Sequence, residues 1–149
     1  MSLKKDVCNS CLKMLSDKIA SLQKILLDLQ LSAANETKST AGDKHETALA
    51  MLQIEQENTS RQLNVLLGQR LELSQINLSK KGTLVSKGSL IYTNRGLVFI
   101  SVGLGKIFLE NRICLVISNT SPLGNLLTGK QVNETIHCNG IDYRIEQIE

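Results

Sequence analysis

Apolar residues in the first part of the chain recur at alternating intervals of three and four positions. The run is Leu12, Leu15, Ile19, Leu22, Leu26, Leu29 and Ala33. This spacing predicts a long helix with the apolar seam of a coiled coil, because it places one stripe on a single helix face. No Pro or Gly interrupts the chain before the polar segment 35–42, which ends in a glycine and predicts a turn.

A second helical stretch is predicted from about Asp43 to Ile76, with a weaker seam. One heptad frame holds the apolar residues Ala48, Leu52, Leu66, Leu73 and Ile76 together with the polar residues Glu55, Thr59, Gln62 and Gln69, while Leu63 lies at a flanking position. Two long helices joined by a short polar turn are expected to pack as an antiparallel pair. At about 1.5 Å per residue, such helices form an arm roughly 50 Å long.

After residue 80 the pattern changes to short β-branched runs, which predict strands. These runs span residues 89–93, 97–102, 106–109, 113–117, 134–138 and 141–148. Asn139-Gly140 is typical of a two-residue hairpin turn, and Asn94-Arg95-Gly96 and Glu110-Asn111-Arg112 read as two further turns. The expected fold is therefore α+β, with a helical hairpin in residues 1–79 and a small antiparallel β domain in residues 80–149.

One short helix is predicted within the β domain. Ser121 is a good N-cap, Pro122 suits the first helical position, and Gly129 ends the helix after Leu126 and Leu127.

Composition and charge narrow the possible functions only slightly. The 149 residues are 42% hydrophobic and 3% aromatic, and the net charge of +3 is too small to indicate nucleic-acid binding by itself. No run approaches the ~20 apolar residues of a membrane span, and no apolar segment follows Lys4 and Lys5, so we expect a cytoplasmic protein. Cys8 and Cys11 form a C-x-x-C pair, but Cys114 and Cys138 lie isolated in predicted strands, which favours reduced thiols over a zinc site.

Two motifs resemble those of the Gre transcript-cleavage factors. The predicted turn reads Gly42-Asp43-Lys44-His45-Glu46-Thr47-Ala48, similar to the G-D-x-x-E-x-A of the Gre coiled-coil tip. Ser121-Pro122-Leu123, followed by Leu126-Leu127-Thr128-Gly129-Lys130, looks like the signature of the Gre C-terminal domain. The order of helical hairpin and β domain also agrees. The string 35–47 is closer still to a group of short Gre-like proteins of the Bacteroidetes.

The resemblance implies an FKBP-like β domain and a bacterial RNA polymerase as the partner. The arm would enter the polymerase secondary channel, where Asp43 and Glu46 would act as the tip acids that hold a shared Mg²⁺ and promote cleavage of backtracked RNA, touching the RNA 3′ end only indirectly. Ser121, Pro122, Gly129 and Lys130 would belong to the polymerase-binding surface. The protein is then a monomeric accessory factor rather than an enzyme, with no cofactor bound stably on its own.

Other interpretations stay open at this point. An Asp followed three residues later by a Glu is also an ordinary start of a capped helix. The tip continues as Thr47-Ala48-Leu49-Ala50 where the Gre pattern commonly has Asn-Ala-Glu-Tyr. A channel-occupying regulator without cleavage activity and a coiled-coil interaction protein unrelated to polymerase are the alternative functions. No P-loop, dinucleotide-binding or H-E-x-x-H motif indicates an autonomous enzyme.

Overall fold

The computed structural model describes residues 2–36 and 42–149, with side chains described for residues 2–35 and 46–149. The helices are α1 (Leu3–Glu36), α2 (Gly42–Ser74) and α3 (Pro122–Leu127). The strands are β1 (Leu90–Thr93), β2 (Gly96–Ser101), β3 (Gly105–Leu109), β4 (Arg112–Ser118), β5 (Thr135–Cys138) and β6 (Ile141–Ile148). The α+β fold class is confirmed.

Contacts divide the chain into two compact units. One comprises Met14–Arg70, and the other comprises Met1–Lys13 together with Leu71–Glu149. The predicted domain boundary at residue 79/80 falls in the connection between α2 and β1 and stays a prediction. None of the helices in the described part of the chain is long and apolar enough to cross a membrane.

The unit Met14–Arg70 consists of α1 and α2 packed side by side. Side chains of both helices line a common hollow, namely Asp17, Lys18, Ser21 and Leu22 of α1 and Gln62, Val65 and Leu66 of α2. Because only residues 37–41 separate the two helices, they run antiparallel, as the sequence predicts. α1 has 34 residues and α2 has 33.

Burial along α1 confirms the predicted seam. All seven predicted members are buried or half-buried, and Leu15 and Ile19 are the most deeply buried of them. Three large apolar residues outside the seam, Ile25, Leu27 and Leu31, are exposed by 47%, 55% and 56%. The 3-4 spacing therefore identified which leucines face α2 and which do not.

The seam of α2 departs from the predicted frame at two positions. Leu52, Thr59, Leu66 and Leu73 belong to it as expected. Between them, however, half-buried Gln56 and Leu63 replace the predicted Glu55 and Gln62, which are exposed, whereas Gln69 and its neighbour Arg70 are both half-buried. Both series have heptad spacing, and the structure selects the one that brings Leu63 inward. The hydrophobic gain of that leucine decides the rotation of the helix, since the competing positions are all polar.

The six strands form one mixed sheet in the order β3-β4-β2-β1-β6-β5. Neighbouring strands are antiparallel except for β2 and β4, which pair in parallel with Leu97 opposite Cys114 and Ser101 opposite Ser118. The predicted sheet was antiparallel throughout, and β3 explains the difference. It forms a hairpin with β4 at the sheet edge, so β4 returns alongside β2 in the same direction.

Both faces of the central strands are covered. Val98, Ile100, Ile145 and Leu127 belong to the core cluster on the face covered by α3. Side chains alternate along a strand, so Phe99 and Cys114 point to the opposite face, where both are fully buried. The start of α1 belongs to the same compact unit, and its Cys11 thiol is close enough to Cys114 for the two to interact electrostatically. A strand buried on both faces reads as a continuous apolar run, as Leu97–Ile100 does.

Candidate functional site

The two acids of the tip motif lie at the start of α2. Asp43 is the second residue of the helix and Glu46 follows three positions later, so helical geometry puts both on one face. The Glu46 side chain is exposed to solvent. The side chains of Asp43, Lys44, His45 and Glu36 lie outside the described residues. The prediction that Asp43 and Glu46 share a Mg²⁺ ion with a polymerase therefore stays a prediction.

The negative charges of Asp43 and Glu46 are favourable at the N-terminus of a helix. The first backbone N–H groups of a helix have no partner within the helix and carry partial positive charge, which favours carboxylates in the first turn. Among residues 2–35 and 46–149, no group of three or more His, Cys, Asp or Glu side chains is placed to hold a metal ion.

The Ser-Pro motif forms the capped start of α3. Ser121 has extended backbone angles, and its hydroxyl oxygen accepts a hydrogen bond from the Gly124 N–H at 3.1 Å. The same hydroxyl donates to the Ser118 carbonyl at 2.7 Å. Pro122 takes the first helical position, where the missing N–H is not needed. The predicted N-cap is confirmed, and the Ser121 hydroxyl is engaged within the chain.

The end of α3 is fixed by its backbone. Gly129 has φ of +84°, the left-handed conformation that commonly follows a helix, so the predicted stop is confirmed. Its N–H donates to the Val85 carbonyl at 2.8 Å, and the Val85 N–H donates to the Lys130 carbonyl at 2.9 Å. These bonds hold the last part of the motif against the connection that leads into β1.

Lys130 is the charged residue of the motif, and its side chain does not take part in the hydrogen bonds that hold α3 in place. It is half-buried and its ammonium makes no hydrogen bond or ion pair to the residues that the structure describes. Pro122 and Leu126 are exposed on the same short helix, Leu126 by 41%. The motif thus combines an internal framework, formed by Ser121 and Gly129, with an outer surface that is partly apolar and carries one cation.

Gly124 is a structural residue that the sequence reasoning missed. A Cβ atom at this position would lie 2.0 Å from the Ser118 carbonyl oxygen and 2.9 Å from the Ser121 hydroxyl oxygen. A glycine inside a predicted helix is the signal that could have identified this close approach. Thr128 also belongs to this framework, since its hydroxyl donates to the Gly124 carbonyl at 2.7 Å.

The four cysteines form no disulfides and all are buried. Cys114, which the sequence left isolated, is brought next to Cys11 by the packing of α1 on the sheet. Burial raises the pKa of Cys11 to about 12, with the neighbouring Cys114 and Cys8 thiols adding to the shift. Burial likewise raises the pKa of Cys114 to about 12, although the Phe99 backbone opposes it. Such thiols are poor nucleophiles at neutral pH.

Comparison with known proteins gives no family assignment. No protein-family profile matches the chain, and no curated protein matches it. Among solved structures, the chain is similar to the transcription factor Gfh1, with 16% sequence identity over 93% of each chain and a TM-score of 0.39. A likeness at this identity and TM-score carries no conclusion about function.

Proposed function

We propose that this protein binds bacterial RNA polymerase through its helical arm and stimulates cleavage of backtracked RNA. The observation that carries the proposal is the position of Asp43 and Glu46 at the point where a pair of helices, 34 and 33 residues long, turns back on itself. A two-helix arm of about 50 Å buries little surface for its length. Its use is to carry the residues at its tip into a narrow space.

The chemistry available at the tip fits that role. Mg²⁺ is usually bound by one or two protein carboxylates together with phosphate oxygens and water. In two-metal hydrolysis, the ions activate the attacking water and stabilise the leaving oxygen. Asp43 and Glu46 would complete the coordination of a Mg²⁺ ion that the polymerase and the RNA hold from the other side. The pair would then bind metal only within the complex.

The β domain would supply the second contact. The exposed side of α3, with Pro122 and Leu126, presents an apolar surface near Lys130, whose ammonium has no partner among the described residues, and Ser121 and Gly129 fix the ends of the helix. In this proposal these residues anchor the protein on the polymerase surface while the arm enters the secondary channel.

The test is transcript cleavage in halted, backtracked elongation complexes of the cognate polymerase. We expect the wild-type protein to stimulate cleavage. Stimulation by the Asp43→Asn/Glu46→Gln variant should be about 10- to 100-fold weaker, as is typical when ligands around a metal are removed. A matched control is Glu55→Gln/Glu57→Gln, which removes two exposed acids from the same helix away from the tip. Equal activity of the two double variants would refute the tip mechanism.

A non-cleaving channel regulator is distinguished by the same assay. Such a protein would leave cleavage unstimulated and would compete with an authentic cleavage factor for the polymerase. Competition that survives in the tip variant, without stimulation by the wild type, would establish that alternative. Absence of any polymerase binding would refute both.

A second candidate function, a coiled-coil interaction protein, is favoured by exposed apolar residues on the helices. Met51, Ile54 and Val65 of α2 are exposed by 64%, 56% and 61%, and their spacing of 3 and 11 positions places them near one face of the helix, where a second chain could cover them. If these residues join two copies of the chain, light scattering will give a dimer that Ile54→Asn/Val65→Asn converts to a monomer. A monomeric wild type supports the polymerase proposal instead.

A further inference from the structure

A cavity of about 280 Å³ lies between the first turn of α1 and the connection from α2 to β1. Both walls belong to the compact unit formed by Met1–Lys13 and Leu71–Glu149. Its charged lining residues are Lys4, Lys80, Lys87 and Glu72. Three ammonium groups and one carboxylate leave a formal excess of two positive charges. The cavity is at the small end of ligand sites, which suits an ion or a small ester rather than a large cofactor.

Lys4 is the unusual member of this group, because it is only 3% exposed. Its ammonium donates one hydrogen bond, to the Lys80 carbonyl at 3.2 Å, and forms no ion pair with any carboxylate among the described residues. An ammonium has three hydrogens, so two remain for another acceptor. A buried cation without an ion partner is costly unless something compensates its charge.

The electrostatic surroundings of Lys4 agree with a site for an anion. Burial lowers the pKa of Lys4, the more distant Glu149 carboxylate opposes that shift, and the Lys81 ammonium adds to it. Lys81 therefore contributes further positive potential near the cavity. Glu149 compensates the buried charge of Lys4 only in part, and an anion bound against Lys4 would complete that compensation.

The opposite wall is held rigidly. The Gly88 N–H donates to the Ile100 carbonyl at 2.7 Å, and a Cβ at Gly88 would meet the Ile76 side chain at 2.9 Å. The Ser89 hydroxyl oxygen accepts from the Ser86 N–H at 2.9 Å. Its hydroxyl hydrogen has no acceptor among the described residues, so it can donate into the cavity. Lys87 lies on the rim and pairs with Glu72 at 3.5 Å.

We infer that this cavity binds an oxyanion of the phosphate class, either inorganic phosphate or the phosphate group of a small ester. Phosphate offers several strong acceptor oxygens and close to two negative charges at neutral pH, which match the excess charge of the lining. Lys4 contributes the buried charge and two free donors, Ser89 contributes a hydroxyl donor, and Lys80 and Lys87 contribute charge. The inference is independent of the proposed polymerase function.

The test is titration of the full-length protein with inorganic phosphate, pyrophosphate and adenosine monophosphate at constant ionic strength, followed by amide chemical shifts. We expect saturable binding by the wild type, with the shifts concentrated in residues 86–89. Lys4→Met keeps the length of the side chain and removes its charge, so phosphate should bind about tenfold more weakly or worse. Lys106→Met, on an exposed strand away from the cavity, should change the affinity by less than about twofold.

Lys87→Gln provides a second variant on the rim, where folding is not at risk. It should weaken binding by about threefold, because it removes a cation and leaves Glu72 unpaired beside the anion. Tighter binding of adenosine monophosphate than of phosphate would assign the site to an ester, and the reverse order to the free ion. No saturation by any of the three probes, or equal affinities of the wild type and both cavity variants, would overturn the inference.

Discussion

Replacing Gly124 by alanine is expected to destabilise the β domain strongly, although the residue lies in a helix, where alanine is normally the better choice. The added methyl would lie 2.0 Å from the Ser118 carbonyl oxygen, well inside contact distance. Relief requires α3 to move away from β4. The added methyl would also lie 2.9 Å from the Ser121 hydroxyl oxygen and would displace it from its N-cap bond with the Gly124 N–H.

The magnitude follows from two terms. Overpacking against a fixed backbone typically costs about 1–3 kcal/mol. Loss of an N-cap hydrogen bond adds about 1 kcal/mol. We therefore expect the free energy of unfolding to fall by roughly 2–4 kcal/mol, which corresponds to a lower urea midpoint by about 1–2 M for a protein of this size.

Gly68→Ala is the matched control. Gly68 is exposed in α2, and a Cβ there would meet nothing within 4 Å. The same substitution should therefore stabilise the protein by about 0.5–1 kcal/mol, through helix propensity alone. Urea unfolding followed by far-ultraviolet circular dichroism measures both variants, and hydrogen exchange of the Thr128 amide, which bonds to the Gly124 carbonyl, reports on α3 itself. A Gly124→Ala variant within about 0.5 kcal/mol of the wild type would contradict the close approach.

Two further predictions concern buried groups. Because burial raises the pKa of both Cys11 and Cys114 from 9.0 to about 12 in the folded state, the stability they contribute is complete below pH 9 and falls as the pH rises from 9 to 12. Urea titrations under reducing conditions at several alkaline pH values check this, and a Cys114→Ala variant with an unchanged slope would argue against it. Leu73→Ala should lower the free energy of unfolding by about 2–5 kcal/mol, because Leu73 is 1% exposed. Leu71→Ala, two residues away but 59% exposed, should cost less than about 1 kcal/mol in the same assay, and equal losses would show that burial does not distinguish the two.

Local patterns in the sequence determined the elements and several of their ends. The 3-4 spacing identified the buried leucines of α1, because the helical period alone decides which side chains share a face. The Asn139-Gly140 turn is present, with φ of 51° and 77°, as expected for a pair that tolerates left-handed angles. Ser121 and Gly129 bound α3 as predicted, since caps are short-range hydrogen-bonding devices.

For the candidate site, too, the sequence predicts local placement but not function. The sequence alone places Asp43 and Glu46 on one face at the start of α2, and the cap residues locate both ends of α3. The joint function of the tip residues depends on a metal and on a partner surface, and the helical spacing of the sequence predicts neither. The functional role of the two tip acids therefore stays a prediction from the resemblance, and the cleavage assay tests it.

Tertiary structure decided the features that depend on residues far apart in the chain. Leu63 rather than Gln62 faces α1, because two heptad frames compete in α2 and only packing against a partner helix distinguishes them. The parallel pairing of β2 with β4, the approach of Cys114 to Cys11, and the burial of Lys4 beside Lys80 have no local signature. Each joins segments whose separation in sequence carries no information about distance, so only the folded chain brings them together.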